Sequence, residues 1–452
     1  MAKIQPGYPE NWATMTPLQK REWRQSKFVK GESIKFVNPE AQKAYKIRSQ
    51  RIVDIYNLKE PDRVQVNLPI GDLPYNLYGI NSHTAMYQVE KAVEACQQFN
   101  TKYSAELEYY AAPMTTPAKA LEILDYKLYA WPGHGLSVNA PGYQFIEGEY
   151  MSADEYDDLI RDPSDFWLRT YLPRVFGILD SMRLISPLTD IIEIPTGQIG
   201  ILGHPQIKAT LRKLLEASDE LERRAAITAP YMGQGPARGY PVTMGAFGIA
   251  PFDIIGDTMR GTTSIMKDMY RHPEKLLKAM DVIADIHIHN LLHSPNIHNM
   301  ISIFFPLHKG ADGWMSQKQF DKFYMPTLKK VMDALINEGL LCTLFAEGSY
   351  NTRLDSVNLF PKGSVTWLFD QTDMARAKQV LGKDCSIQGN VPSSLIVTGD
   401  PADVKAYCRK LIETCAPGGG YILAAGCTAE NPKLDNLRAM LAAAKEYGVY
   451  KK

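Results

Sequence analysis

A series of short apolar runs in the second half of the chain, each ending in polar residues, limits the folds open to this sequence. Ile301–Phe305 leads into a turn that carries His308. Four similar runs follow, with stretches of helical periodicity between them: Cys342–Gly348, Val365–Asp370, Cys385–Asn390 and Tyr421–Cys427. Short apolar strands that alternate with helices are typical of parallel βα units. This half of the chain therefore predicts a parallel sheet with its helices packed outside.

Three further runs in the first half complete a set of eight predicted strands. They are Val64–Pro69, Leu124–Trp131 and Tyr240–Phe247. Eight parallel strands with crossover helices close into a (β/α)8 TIM barrel, so the sequence predicts an α/β fold of this kind. We expect the barrel to occupy residues 61–452, with a helical insertion at about 150–235.

Residues 1–60 are charged and predict a helical arm in front of the barrel. Thr16 followed by Pro17, and Asn38 followed by Pro39, are typical helix starts with a capping side chain and proline in the first turn. No cluster of catalytic residue types occurs here. The arm is expected to cap the barrel or to join two copies of the chain in a homodimer.

The charge balance and the cysteines exclude several classes of protein. The chain has 50 Lys and Arg against 50 Asp and Glu, which gives no signal for nucleic acid or for an anionic membrane surface. No apolar run approaches the roughly 20 residues of a membrane span, and the N-terminus lacks a signal-peptide core. The six cysteines are scattered without a CxxC pair, which favours reduced thiols and a cytoplasmic location.

A barrel gathers the polar residues at the strand ends around one pocket, where active sites of this fold lie. Glu347, His308 and Asp370 are the predicted catalytic residues. Glu347, Cys427 and His308 together predict a zinc site with an open position for water or substrate. The predicted substrate-binding residues lie at other strand ends and in the following loops: Asn67, Phe247, Arg260, Trp314, Gln388 and Asn390.

A group of histidines within residues 287–298 offers a second, weaker candidate for a metal site. His289 and His293 are four residues apart and share one helix face, which suits zinc. The helix lacks the Glu of an HExxH motif and leads away from the predicted catalytic end. A packing or surface role is the better interpretation of these residues.

Several stretches between about Pro61 and Tyr450 resemble the uroporphyrinogen decarboxylase superfamily. They are PDRVQVNLP, YMSADEYDDLIRDP, GAFGIAPFDIIGDTMRG, FYMPTLKKVMDALINEGL, SIQGNVPSSLIVTGDPADVKAYCRKLIE and the closing GGGYILAAGCTAENPKLDNLRAMLAAAKEYGVY. The resemblance implies the same (β/α)8 barrel. It also implies one of two chemistries, a metal-free decarboxylation or a corrinoid-linked methyl transfer.

The family motifs favour the methyltransferase branch in a divergent form. The Arg-Gln-Ala-Gly-Arg signature of the decarboxylases is replaced here by VNLPIGDLPYNLYG. The zinc-binding His-x-Cys-Gly of the methyltransferases is similar to Phe345-Ala346-Glu347-Gly348, and the later zinc cysteine matches Cys427. The set that the resemblance implies is richer in oxygen, and it suits an ether or alcohol better than a thiol.

The sequence therefore predicts an enzyme resembling the corrinoid-dependent demethylases. It would move a methyl group from a small methoxylated or methylated compound to cobalamin, free or on a corrinoid protein. Glu347 and His308 would activate the leaving group, Asp370 and Asn390 would orient the substrate, and aromatic walls would hold a ring: Phe247, Phe252, Trp314 and Trp367. Two alternatives remain open, a decarboxylase that holds a carboxylate with Arg260 and Arg353, and a non-catalytic ligand-binding scaffold.

Overall fold

The core of the molecule is a curled parallel sheet of seven strands. The computed structural model describes residues 7–189, 191, 193–194 and 196–451. In these residues the sheet has the order β1-β10-β9-β8-β7-β6-β5, and every pair in it is parallel. The strands in chain order are β1 Gln65–Asn67, β2 Tyr129–Pro132, β3 Gly135–Leu136, β4 Gln144–Phe145, β5 Met244–Phe247, β6 Ser302–Leu307, β7 Leu341–Ala346, β8 Val365–Phe369, β9 Ser386–Gln388 and β10 Tyr421–Ala424.

Helices connect the strands and form the outer layer. The α-helices are α1 Pro17–Lys30, α2 Pro39–Tyr56, α3 Leu73–Leu77, α4 Ser82–Tyr87, α5 Val89–Leu107, α6 Ala118–Leu124, α7 Tyr156–Arg161, α8 Pro163–Phe166, α9 Leu172–Val175, α10 Gly197–Gly200, α11 Pro205–Met232, α12 Gln234–Ala237, α13 Pro251–Asp253, α14 Thr262–Arg271, α15 Pro273–Leu292, α16 Gln317–Gln319, α17 Met325–Asn337, α18 Met374–Leu381, α19 Ser393–Thr398, α20 Pro401–Cys415 and α21 Leu434–Tyr447. Short 3₁₀ segments are Trp12–Thr14, Ala153–Glu155, Gly177–Leu184, Ile201–Gly203, Ile297–Asn299 and Leu354–Ser356. Three segments are π-helical: Trp167–Tyr171, Ile254–Arg260 and Phe320–Tyr324.

The strands alternate between a face covered by helices and a more open face inside the curl. On β6, Ile303 and Phe305 are fully buried, whereas Phe304 between them is half-buried. Phe304 is paired in register with Thr343 of β7, and paired residues of a parallel sheet point to the same side. The inside of the curl is therefore lined by half-buried side chains that a ligand can reach.

The predicted second barrel strand belongs to a different sheet. Within Leu124–Trp131, extended structure begins at Tyr129, and this strand pairs with β3 in parallel and with β4 in antiparallel direction. Gly133 and Gly135 have φ of +83° and +81°, which turns the chain back on itself directly after β2. Local pairing thus takes this strand out of the parallel sheet. The α/β class is therefore confirmed. The described residues form a parallel sheet of seven strands, whereas the sequence predicts a barrel of eight.

The N-terminal helices pack against the start of the parallel strands. Ile52 and Tyr56 of α2 form a small apolar cluster with Ile301 and Leu341, which lie at the beginning of β6 and β7. Arg24 of α1 is 3% exposed and donates hydrogen bonds to three backbone carbonyl oxygens, those of Ile297, Met300 and Glu338. Both helices begin as their capping residues predict, at Thr16 and Asn38.

The described residues between 150 and 235 are helical or irregular, and α11 is the longest element among them. Together with the small sheet β2-β3-β4, this part of the chain separates β1 from β5. No helix in the described residues has the length and apolar character needed to cross a membrane.

Candidate active site at the strand ends

The register of the sheet places several predicted site residues side by side at its carboxyl end. Leu307, Ala346 and Phe369 are neighbours across β6, β7 and β8. The residues that follow them, His308, Glu347 and Asp370, therefore leave three adjacent strand ends. Asn67 ends β1 and is paired with Ala424 at the same end of the sheet. The sheet thus brings residues that are far apart in the sequence to one end, as predicted from the strand ends.

His308 is held by a carboxylate that is not among the predicted site residues. Its Nδ1 lies 2.6 Å from Oδ2 of Asp257, and its side chain is 40% exposed. The hydrogen bond to Asp257 raises the pKa of His308, although burial works against the rise, and the charge of Glu347 adds to it. A raised pKa favours the protonated imidazolium, so His308 is suited to give a proton to a substrate.

Asp257 carries its negative charge between two basic side chains. It accepts hydrogen bonds from His308 and from the ammonium group of Lys309. Burial favours the neutral form, but the hydrogen bond from His308 and the charge of Lys309 outweigh it and lower the pKa of the carboxyl group. The Lys309 ammonium also lies 5.4 Å from the ring centroid of Trp314. Lys309 is thereby fixed beside the predicted substrate residue Trp314.

Asp253 fixes the backbone on which His308 stands. It is 0% exposed and accepts the backbone N–H groups of His308 at 2.9 Å and Lys309 at 3.1 Å. The hydroxyl of Tyr324 donates a third hydrogen bond at 2.6 Å. Burial raises the pKa of Asp253 to about 6, and the charge of Asp257 adds to the rise. Three donors on one buried carboxyl group leave this turn little freedom.

Both aspartates come from the segment PFDIIGD, directly after β5. The four-residue spacing of Asp253 and Asp257 is a signal that could have been noticed, because such residues lie on one side of a helical turn. Their partner His308 is 51 residues away from Asp257. Only the adjacency of β5 and β6 brings the two segments together.

The remaining strand-end residues divide into exposed and structural groups. Glu347 is exposed at the mouth of the sheet. Asp370 is half-buried and accepts the backbone N–H of Gly348 at 3.1 Å. Asn390 is 9% exposed and donates to the carbonyl oxygens of Asp370 and Thr372, so it supports the end of β8; Gln388 is equally buried. Glu347 and Asp370 thus remain within reach of a substrate.

Two of the three predicted zinc ligands contact other side chains in the structure. In the part of the chain that the structure describes, no group of three or more His, Cys, Asp or Glu side chains is arranged to hold a metal ion. Cys427 instead lies with its Sγ 3.4 Å from Oγ of Ser393, and His308 is engaged by Asp257. These side chains are not arranged for a metal in the structure, and the zinc site of Glu347, Cys427 and His308 stays a prediction.

Neither predicted arginine is free for a substrate carboxylate. Arg260 is 4% exposed; its guanidinium donates to Asp268 at 2.6 Å, and also to Glu149 and the carbonyl oxygen of Met151. Arg353 is 1% exposed and bonds the carbonyl oxygen of Met315 and the side chain of Gln317. Arg260 is therefore engaged within the protein in this structure, and its role in substrate binding stays a prediction.

Two of the four predicted aromatic walls face the mouth and two belong to the core. Phe247 is 54% exposed and Trp314 is 43% exposed, whereas Phe252 and Trp367 are fully buried. The ring of Phe247 contacts that of Phe304 with a centroid distance of 5.7 Å, inside the curl of the sheet. The accessible aromatic surface thus lies at Phe247 and Trp314.

The small sheet and the segment after it attach to the site from the outside. The backbone N–H groups of Tyr150 and Met151 donate to the carbonyl oxygen of Met259, and the Glu147 carboxylate accepts the N–H of Thr262. These contacts tie residues 147–151 to the π-helical segment that carries Asp257 and to the start of α14. The segment after β4 therefore helps to fix one side of the site.

Comparison with known proteins agrees with this architecture. The family model for uroporphyrinogen decarboxylase (URO-D) matches residues 196–447, more than half of the chain. The uroporphyrinogen decarboxylase of Sodalis glossinidius is 24% identical over 238 residues, which are 50% of this chain and 61% of that protein. The one of Actinobacillus succinogenes is 23% identical over 252 residues, 52% of this chain and 65% of that protein. The chain thus spans less than two thirds of these relatives.

A solved structure has the same fold over a larger share of the chain. A methyltransferase from Methanosarcina mazei superposes with a TM-score of 0.51 at 15% sequence identity, over 89% of this chain and 98% of that chain. At this identity the likeness establishes the fold alone. The family match covers the strands β5 to β10 and both aspartates that hold His308. The chain belongs to the uroporphyrinogen decarboxylase (URO-D) family.

Proposed function

We propose that the protein is a methyltransferase-type enzyme that removes a methyl group from a small methoxylated or methylated compound and passes it to cobalamin. The observation that carries this proposal is the pair of His308 and Asp257 at the strand ends, with the exposed Glu347 on the adjacent strand. The methyltransferase among the structural neighbours is consistent with it. The cobalamin would be free or held by a corrinoid protein, and a homodimer is proposed for the chain itself.

The chemistry of ether cleavage explains why a proton donor is needed. When the methyl group leaves, both electrons of the carbon–oxygen bond stay on the oxygen, and an alkoxide or phenoxide is a poor leaving group unless it is protonated. Protonated His308 gives this proton, and Asp257 stabilises the charged imidazole before the transfer. Glu347 and Asp370 orient the substrate or return the proton. Reduced cobalamin, when bound, supplies the nucleophile that accepts the methyl group.

The residues at the mouth offer apolar surface on which the ring of a large cofactor could rest. Phe247 and Trp314 expose about half of their surface there. Exposed aromatic side chains of this size are typical of binding surfaces. Phe247 and Trp314 would hold the corrin ring over the strand ends. No step of the proposed reaction runs through zinc.

The structure gives less support to the two alternative functions. A decarboxylase of the kind considered needs arginines that face the substrate, and Arg260 and Arg353 are both buried and engaged. A non-catalytic scaffold has no need of carboxyl groups with shifted pKa values beside the strand ends. Asp253 has its pKa raised to about 6, and that of Asp257 is lowered. Perturbed groups that surround a protonatable histidine favour catalysis.

An assay of methyl transfer tests the proposal. The purified full-length chain is incubated with methoxybenzene and chemically reduced cobalamin, and the methylated corrinoid is followed by its absorbance. We expect turnover by the wild type and a loss of about 100-fold or more in His308→Asn, the usual share of a general acid. The exposed His289 provides the matched control, and His289→Asn should keep full activity. Equal activity in wild type and His308→Asn would contradict the proposal.

A further inference from the structure

Two cavities of almost equal volume lie at opposite ends of the parallel sheet. The first, of about 790 Å³, opens beside the strand ends between α15 and residues 163–176, and Asp257 is part of its wall. The second, of about 780 Å³, opens between α2, α5 and residues 234–240, and we call it the amino-end cavity. Residues 234–240 precede β5, and α2 packs against the beginnings of β6 and β7. The amino-end cavity is therefore far from His308.

The linings of the two cavities differ in their chemistry. Apolar and aromatic side chains dominate the first cavity, whereas most side chains of the amino-end cavity carry a charge, a hydroxyl or an amide group. Small residues such as Ala41, Ala44 and Ala105 leave space between these polar groups. The volume is within the range of sites that bind small organic molecules, roughly 300–1,000 Å³. The amino-end cavity thus suits a polar molecule of that size.

Two arginines supply the positive charge of the amino-end cavity. Arg48 donates to the backbone carbonyl oxygen of Gly239 at 2.7 Å, and its guanidinium lies 4.5 Å from the ring centroid of Tyr240. Arg238 is exposed and adjoins Gly239 in the chain. Within the part of the chain that the structure describes, neither arginine forms an ion pair with a carboxylate. Because the guanidinium fork matches the oxygens of a phosphate, this pair suits a phosphate group.

The acidic groups around the amino-end cavity do not cancel this positive charge. Glu40 is the one carboxylate among the described lining residues, against two arginines. The charge of Glu108 reaches Arg48, but Glu108 is already paired with Arg63 and with Lys445. An anion that enters the cavity therefore meets net positive charge.

Neutral hydrogen-bonding groups line the rest of the amino-end cavity. The hydroxyl of Tyr110 donates to Oε1 of Gln234 at 2.8 Å, which leaves the amide N–H groups of Gln234 for a ligand. Gln97 and Thr101 are exposed on α5 in the same lining. Sugar hydroxyls both donate and accept hydrogen bonds, so they match the amides and also the Glu40 carboxylate, which only accepts. These groups favour a ligand with several hydroxyls.

We infer that the amino-end cavity binds a phosphorylated sugar. Arg48 and Arg238 hold the phosphate, and the sugar hydroxyls bond to Gln234 and Glu40. The same chemistry occurs in a free sugar phosphate and in a mononucleotide, whose base would stack on Tyr110. The cavity adjoins α2 before β1 and the segment before β5, and β1 and β5 are the two edge strands of the sheet. A bound ligand thus links the segments that lead into both edges.

Calorimetry on the full-length chain tests the inference with three probes: ribose 5-phosphate, adenosine monophosphate (AMP) and inorganic phosphate. The wild type should bind ribose 5-phosphate at least about tenfold more tightly than inorganic phosphate, because the sugar adds hydrogen bonds to the amide and carboxylate groups. Tighter binding of AMP than of ribose 5-phosphate would support a mononucleotide as the ligand. Equal binding of the two would support a free sugar phosphate.

Two variants locate the binding in the amino-end cavity. Arg238→Met removes an exposed charge without an ion-pair partner, and it should weaken the binding of ribose 5-phosphate by about tenfold or more. Ala105→Trp places a large ring in the cavity from the exposed side of α5 and should weaken binding at least as much. The matched control is Arg212→Met, at an exposed arginine of α11 outside the described lining, which should bind as the wild type does.

Thermal unfolding verifies that each variant is folded, and ribose 5-phosphate should raise the Tm of the wild type and of the control variant. Three results would overturn the inference: no binding of either sugar phosphate by the wild type, binding no tighter than that of inorganic phosphate, or unchanged binding in both cavity variants. An equal loss in Arg212→Met would also overturn it, since it would indicate general attraction by surface charge. None of these measurements involves cobalamin, so their outcome is independent of the proposed function.

Discussion

Nδ1 of His308 lies 2.6 Å from Oδ2 of Asp257, which joins the end of β6 to the π-helical segment after β5. This contact connects the open end of the sheet with the cavity beside it. His308 stands in the row of strand ends with Glu347, and Asp257 is part of the wall of the adjacent cavity. His308 is therefore tied to the wall of this cavity through Asp257, while it stands at the open end of the sheet.

Replacement of Asp257 should shift the pH dependence of the reaction. The raised pKa of His308 means that the acid form persists to higher pH than in an unperturbed histidine. Asp257→Asn removes the negative charge and the hydrogen bond to a carboxylate, so the pKa of His308 falls. The alkaline limb of the rate profile should move to lower pH, and kcat at pH 7 should drop. Asp285→Asn on the exposed face of α15 is the control, and an unmoved alkaline limb would refute the assignment.

Asp253 should make the protein less stable as the pH rises, whereas a salt-bridged carboxylate makes a protein less stable as the pH falls. Its pKa is raised to about 6 in the folded chain, above the usual value, so the folded state binds more protons between about pH 4 and 6. Its contribution to stability is present at the lower pH and is lost as the pH rises through this window. The difference in unfolding free energy between wild type and Asp253→Asn should therefore become smaller from pH 4 to 6.

Urea unfolding at a series of pH values measures this difference. Tyr324→Phe provides the control, because it removes one hydrogen bond at 2.6 Å but keeps the titrating group. This variant should lose about 1 kcal/mol and retain most of the pH dependence. A pH dependence in Asp253→Asn identical to that of the wild type would show that another group titrates.

The sequence identified His308 but neither of its partners, and the reason is physical. A polar residue after a buried strand is visible in one short segment, whereas a hydrogen bond across 51 residues depends on which strands are adjacent. The apolar run at 129–131 likewise predicts a strand from one short segment. Which sheet it joins depends on the turn at Gly133–Gly135 and on pairing with β4, and apolar periodicity does not encode either.

Arg24 should be a major contributor to the stability of the N-terminal helices. It is buried and donates to the carbonyl oxygens of Ile297, Met300 and Glu338, which are left without these donors in Arg24→Ala. We expect a loss of about 3 kcal/mol or more in unfolding free energy, since buried acceptors lose charged partners. The exposed Lys30 pairs with Glu32, and Lys30→Ala should cost less than about 1 kcal/mol. Similar losses in both variants would contradict the burial argument.

Arg260 should prove structural in a double-mutant experiment. Arg260→Met leaves the carboxylate of Asp268, which is almost fully buried, without its cationic partner, a change that typically costs about 3–5 kcal/mol. Adding Asp268→Asn removes the uncompensated charge and should recover part of the lost stability. Full additivity of the two losses would show that the ion pair is not coupled. The ratio of affinities for methoxybenzene and 4-methoxybenzoate should stay the same in both variants.

For the two arginines, a position after a strand end does not predict whether the side chain is free to bind a ligand. Arg260 and Arg353 follow strand ends, as catalytic residues of this fold do, yet one is paired with Asp268 and the other bonds the backbone of the loop after β6. The position in the sequence is the same for a ligand-binding and a structural arginine. Burial decides between the two, and burial depends on the packing of segments such as residues 147–151, whose sequence carries no clear signal.

The central claim is that His308 protonates the leaving oxygen, and the dependence of the rate on the leaving group tests it most directly. The rate of methyl transfer to reduced cobalamin is measured for wild type and His308→Asn with methoxybenzene and with 4-methoxybenzonitrile, whose phenolate is more stable and needs less protonation. We predict a loss of about 100-fold or more with methoxybenzene and a clearly smaller loss with the nitrile. Equal losses with both ethers, or no loss with either, would contradict the claim.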